Sequence, residues 1–326
     1  HMFRMLVVVA TLLLSLTVEG VPVSPTLPHY KLESWPVVPK GQSLGPVGCS
    51  AVCDVSQQVF VAQRGAAMDP VVIFSANGTM VGSWGKEHLQ TPHGIRIRRS
   101  GGCEEIWVTD VALHVARRFN SAGELTATLG IPGINGSGTH PVQFSEPTDV
   151  AFTSQEMFIA DGDAGINNRI LVFDADRLHL IRVIGEKGSG PGQFFVPHSI
   201  SVDALDRLWV ADRNNARLQV LTPQGHYIGE WNCGWDISEP DNGQPFGIWH
   251  VGEVFAITDG KANHTLVVRP PPMTHDDIGS CHVEQILPHE NGVAHLPAGD
   301  VQGNLYISEV GPAPLGAKVL KYDREA

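Results

Sequence analysis

Three histidines open similar apolar stretches at wide, near-even intervals: His93 in TPHGIRI, His198 in VPHSISV and His295 in VAHLPAG. The intervals are 105 and 97 residues, each about twice an internal repeat of roughly fifty. If six such repeats close into a ring, the three side chains lie a third of a turn apart and point at one spot on the axis. Three neutral imidazoles meeting with one position left free suit Zn²⁺ in an open, catalytic-type site. A single histidine on an inner strand ordinarily just hydrogen-bonds a backbone group, so the argument rests on the shared placement of all three. His198 and His295 each lie 11 residues before an aromatic residue, Trp209 and Tyr306. His93 lies 14 before Trp107, with the extra length in the RRSGGC turn. His289 in ILPHENG is a rival third ligand, but it stands 17 residues before Tyr306 and fits the register less well.

The elements that would position these histidines recur along the chain. A hydrophobic strand ending in an acid appears as IWVTD to Asp110, MFIAD to Asp161, LWVAD to Asp212, VFAITD to Asp259 and LYISE to Glu309. A first copy, VFVAQ, ends at Gln63, and the steps are 47, 51, 51, 47 and 50 residues. A period near fifty with several strands per unit indicates a propeller. The clearest unit reads SISV, LWVAD, RLQVL and HYIGEW, four strands separated by polar turns, which is one blade. The fold class is therefore all-β, a six-bladed propeller over residues 29–326. The last copy ends in KVLKYDREA, a third strand without a fourth, and HYKLESWP near the N-terminus looks like the HYIGEWN outer strand. Residues 29–36 are expected to complete the last blade and so remove an open edge. The strand-end acids read as turn organisers rather than metal ligands.

Residues 1–20 read as a secretory signal peptide. Arg4 precedes the almost wholly apolar run Met5–Val18, and Gly20 offers a small residue for cleavage. Fourteen residues are short for a membrane span, the alternative reading, and no later stretch is long enough to cross a bilayer. Residues 21–28 form a linker. Export to the extracellular space or secretory lumen gives meaning to three glycosylation acceptors, Asn77, Asn135 and Asn263. Five cysteines allow two disulfides and a leftover thiol, with Cys233 and Cys281 the favoured pair. The net charge of −12, without a Lys/Arg block, argues against nucleic-acid binding.

Blades three and four, EPTDVAF…FIAD…NNRILVFD and VPHSISV…WVAD…NNARLQVL, resemble the NHL repeat. The segments QRG (63–65), TPHG, WVTDVALH, PTDVAF and FFVPHSISV resemble the lyase domain of the peptidylglycine α-amidating monooxygenase family. ADGDAGINNR and the WNC segment are similar to a secreted NHL repeat-containing relative of that lyase. The resemblance implies zinc held by His93, His198 and His295, and Arg64 as the clamp on a substrate carboxylate. It implies cleavage of a peptidyl-α-hydroxyglycine to a peptide amide and glyoxylate. Two departures matter. The family's catalytic tyrosine follows the DG of the third blade, where this chain has Asp161-Gly162-Asp163-Ala164-Gly165. The family's calcium-binding aspartate after the third histidine is here Leu296, which offers no carboxylate, so Ca²⁺ is not expected.

Asp163 is the stand-in base if catalysis survives, and otherwise an exposed turn acid or local loop organiser. Three readings follow: a zinc-binding propeller with lost or altered catalysis, a working amidating lyase, and a metal-free propeller that binds peptides or secreted proteins on its loops. No monooxygenase partner domain and no RING or B-box cysteine pattern accompanies the repeats.

Overall fold

The computed structural model describes residues 28–98, 102–164, 166–238, 243–269, 274, 276–289, 292–311 and 318–325. The expected signal peptide and most of the linker lie outside them. The described strands form six four-stranded antiparallel sheets, one per repeat. Within each sheet the chain runs from an inner strand outward. The six inner strands are Val47–Val52, Pro92–Ile97, Pro147–Phe152, Pro197–Val202, Pro245–Val251 and Val293–Gly299. They neighbour one another in order, and the sixth returns to the first. The only helical element among the described residues is a 3-10 turn, Arg213–Asn215, and no helix there is long and apolar enough to cross a membrane.

The strand pattern explains the stacking. Second strands such as Ile106–Asp110 and Leu208–Asp212 are buried along their whole length, because each sheet is covered on both faces by its neighbours. Outer strands such as Leu125–Leu129 are largely open to solvent. An aromatic residue stands three positions before the strand-end acid or amide in five blades: Phe60, Trp107, Phe158, Trp209 and Tyr306. All five are buried to within 2 % of complete. In the fifth blade Phe255 takes the adjacent position. Truncating a ring of this kind to alanine costs about 3–5 kcal/mol.

The strand-end groups organise turns. Asp110 accepts the backbone N–H groups of Gln90, Thr91, Ala112 and Leu113. Asp161 and Asp212 each accept from a backbone N–H and from the following Arg169 or Arg217. Gln63, where the acid is missing, accepts from Gly45 and Gly65, and its two N–H groups are shared among three carbonyls, which replaces the carboxylate's role. The ring closes as the sequence suggested, with Tyr30–Glu33 pairing antiparallel to Val319–Arg324.

Candidate metal centre

Every inner strand breaks register just after its first or second residue. Gly48, Thr148, His198 and Phe246 are each left out of the pairing with the second strand, as are His93 with Gly94 and His295 with Leu296. Such bulges turn a side chain or carbonyl away from the ladder. Here they turn them toward the channel, and the ring alternates. Blades two, four and six present histidine, and blades three, five and one present a backbone carbonyl.

Each histidine is tied to the bulge of the next blade. His93 Nδ1 lies 2.8 Å from the Thr148 carbonyl, His198 Nδ1 lies 2.6 Å from that of Phe246, and His295 Nδ1 bonds that of Gly48. A carbonyl only accepts, so all three Nδ1 atoms carry the proton and all three Nε2 atoms present a lone pair. The ring centroids are 4.7–4.9 Å apart. One ligand nitrogen from each ring falls within 4.8 Å of the others, and this is the only such group of three or more potential ligands among the described residues. Burial holds all three imidazoles neutral. It pushes His198 down to about 4, with Arg213 adding to the effect, and pushes His93 and His295 well below the usual histidine value. His198 Nε2 is buried without a hydrogen-bond partner. Neutral imidazoles with tethered Nδ1–H groups and an orphaned Nε2 are the donor set that a divalent metal takes.

Three charged side chains surround the histidines on the side where the second strands end. Asp163 is 23 % exposed, and its two carboxylate oxygens lie 3.6 Å from His93 Nε2 and from His198 Nε2. The Arg213 guanidinium bonds one of these oxygens at 3.1 Å and lies 5.0 Å above the Phe246 ring. Arg64 donates from Nε to the Pro92 carbonyl at 2.9 Å, while its Nη2 is buried and unpartnered. Burial lowers the proton affinity of both arginines, and the Asp163 carboxylate opposes that. Asp163 is therefore no exposed turn acid. A cavity of about 520 Å³ adjoins this rim, lined in part by Phe195, Arg213, Phe246 and Lys261.

Further along the inner strands the channel is plugged. Arg96 and Asp149 form a fully buried bidentate pair at 2.8 and 2.9 Å. Arg96 also donates to the Pro297 carbonyl and stacks 4.0 Å from Trp249. Burial works against the charge of Arg96, and the Asp149 carboxylate outweighs it. Leu296 is buried among Cys49, Ile95 and their apolar neighbours. A leucine in an apolar cluster offers calcium no oxygen ligand at this position. Cys49 is the free thiol, pushed up to about 11 by burial, which leaves it unreactive.

The remaining sites fall elsewhere. His289 spends both ring nitrogens between blades five and six, on Glu309 and Thr265, so it is no ligand. His114 bonds the Ser145 carbonyl at a turn. The four tyrosine hydroxyls bond Gly303, Glu230, Asp300 and Pro288, none of them at the channel rim. Cys233 and Cys281 are joined, and a second disulfide links Cys53 to Cys103. Asn77 and Asn135 are exposed, whereas Asn263 is half-buried and donates its amide to the His289 carbonyl. Sequence reasoning missed Arg213, Phe246 and the Arg96–Asp149 plug. Arg213 directly follows a strand-end acid, as Arg64 follows Gln63, and that parallel was the available signal.

A family model described as a 6-bladed β-propeller matches residues 139–240. NHL repeat-containing protein 3 of Mus musculus is 34% identical over 281 residues, covering 82% of this chain and 77% of that protein. Peptidyl-alpha-hydroxyglycine alpha-amidating lyase 2 of Drosophila melanogaster is 34% identical over 263 residues, covering 77% of this chain and 60% of that protein. Among solved structures, a gluconolactonase from Xanthomonas campestris aligns with a TM-score of 0.60 over 87% of each chain, at 11% identity, a likeness of fold alone. Identity at this level over most of both chains, on a six-bladed ring with a three-histidine axis, places this chain in the NHL repeat-containing protein 3 family, a relative of the amidating lyases.

Proposed function

We propose that this chain is a secreted, glycosylated propeller that holds one zinc ion at His93, His198 and His295, with catalysis lost or altered relative to the amidating lyases. The observation that carries the reading is the shared tether: three Nδ1–H groups tied to three bulge carbonyls aim three Nε2 lone pairs inward. When bound, zinc supplies a Lewis acid that polarises an oxygen placed against it. The Arg96–Asp149 pair and Trp249 close the channel behind the histidines. Arg64 presents a free Nη2 to a ligand carboxylate. The adjoining cavity, with Phe195 and Phe246 beside Arg213 and Lys261, suits a peptide of mixed apolar and acidic character. No tyrosine stands at the rim, and this separates the chain from a lyase that uses one as its base. Two disulfides support an oxidising compartment.

The unpartnered Arg64 Nη2 also favours a second reading, an active peptidylamidoglycolate lyase with Asp163 as base. Zinc content after dialysis and glyoxylate release from a peptidyl-α-hydroxyglycine, each compared with His198→Ala, test both. Retained zinc in the wild type, its loss in the variant and background glyoxylate in both are expected. Zinc-dependent glyoxylate release would establish the lyase instead. A wild-type chain without zinc would leave a metal-free binding propeller.

A further inference from the structure

The position of Asp163 is electrostatically odd. Its two oxygens face two imidazole nitrogens at 3.6 Å. Those nitrogens are Nε2 atoms whose Nδ1 partners hold the proton against a carbonyl. Acceptor faces acceptor on both contacts. Arg213 neutralises one oxygen, Oδ1, at 3.1 Å. Among the described residues no hydrogen bond reaches Oδ2, which lies beside His93. A cation placed between a carboxylate and such lone pairs relieves their mutual repulsion.

The loop does not wander into this place. Gly162 N–H and Asp163 N–H both donate to the Glu146 carbonyl, at 2.9 and 3.2 Å. The next residue, Ala164, donates to the Glu146 carboxylate at 2.8 Å. Gly162 itself allows the approach: a Cβ there would come within 2.4 Å of the Asn167 carbonyl oxygen. The turn after the second strand of blade three is thus pinned on both sides of Asp163.

The spacing separates a ligand from a base. Two donors bound at zinc distances in a tetrahedral arrangement lie about 3.4 Å from each other. A carboxylate that acts as base on a zinc-bound group stands one atom further out. Asp163 sets one oxygen 3.6 Å from His93 Nε2 and the other 3.6 Å from His198 Nε2, each close to the first distance. The geometry points to Asp163 as the fourth ligand of the metal, a carboxylate held in place by Arg213 that converts an open three-histidine site into a closed His₃Asp one. This rests on the zinc reading above. It also gives the altered chemistry a cause, because a ligand that occupies the fourth position leaves no place for a substrate oxygen until it is displaced. A ligand carboxylate that captures Arg213 would remove the partner that holds Asp163 there.

The test loads the wild-type protein, Asp163→Ala and Asp163→Asn with Co²⁺ and records EPR spectra in water enriched in ¹⁷O. Line broadening reports an exchangeable water in the coordination sphere. The wild type should show none, and Asp163→Ala should show it because water fills the vacated position. Zinc dissociation constants from chelator competition should rise in Asp163→Ala by at least the roughly 10–100-fold that loss of an outer-shell partner alone costs. Thermal melts of the metal-free forms check that the variants fold, and Asp163→Asn keeps the shape if the alanine form does not. Equal broadening in wild type and variant, or an unchanged zinc constant, overturns the ligand role while leaving the three-histidine site standing. A wild type that takes up no metal overturns the zinc reading itself, and the ligand role with it.

Discussion

His198 and Phe246 occupy the same bulge position in adjacent blades, and the imidazole of one lies 2.6 Å from the carbonyl of the other. One backbone irregularity serves two ends. In an even blade it turns a ring inward, and in the following odd blade it turns out the acceptor that fixes that ring's tautomer. The alternation needs no side-chain partner for any of the three histidines.

Stability of the metal-free protein should depend steeply on mild acid. In the unfolded chain histidines protonate near the ordinary value of about 6.5. In the fold burial holds His198 down to about 4 and the other two well below their usual value. The unfolded state therefore takes up protons that the folded state refuses. Stability is full above the unfolded value and falls as the pH drops from about 6.5 toward 4. His198 alone accounts for about 3 kcal/mol of that loss. Urea unfolding midpoints across this window measure it, and His198→Asn should flatten the dependence.

Arg96→Met should destabilise the protein by about 3–5 kcal/mol, since it leaves the Asp149 carboxylate buried and unpaired. The double variant Arg96→Met/Asp149→Leu should recover much of that loss. Chemical denaturation of the three proteins checks the order. A double variant less stable than Arg96→Met would show that Asp149 has a further role beyond the pair.

The disulfide between Cys233 and Cys281 spans 48 residues and joins the loops beside the outer strands of blades four and five. Replacing both by serine should cost about 4 kcal/mol through the added freedom of the unfolded chain. Differential scanning calorimetry with and without the substitutions gives the figure.

Expressed through a secretory pathway, the protein should carry glycans at Asn77 and Asn135. Asn263 should be empty or partly filled, because its amide already donates to the His289 carbonyl from a half-buried turn. Mass spectrometry after enzymatic deglycosylation reads each position by the conversion of asparagine to aspartate.

The blade pattern was plain in the sequence because it is local. Strands such as LWVAD carry their own alternation, aromatic residue and terminal acid, and the closing strand was legible from the likeness of HYKLESWP to HYIGEWN. The histidine trio could be read because three positions share one register. Asp163 could not be placed, since a DGDAG stretch marks a turn and leaves open which way its acid points. Arg96 resembled any alternating residue of an inner strand, and only the closed ring brings it to Asp149, 53 residues away. Both disulfides join neighbouring blades at separations of 50 and 48, close to one repeat length. That regularity was present in the spacing of Cys53 and Cys103 and went unused.

The hydrogen bond from His295 runs to Gly48, from the last blade back to the first. The centre is thus assembled by the same event that joins head to tail. A chain whose sixth wedge has not yet docked has two imidazoles in place and no seat for the third, so the trio is complete only once the ring has closed. Three imidazoles meeting on the axis are thus a seal of correct manufacture, one that a misjoined copy is unable to forge.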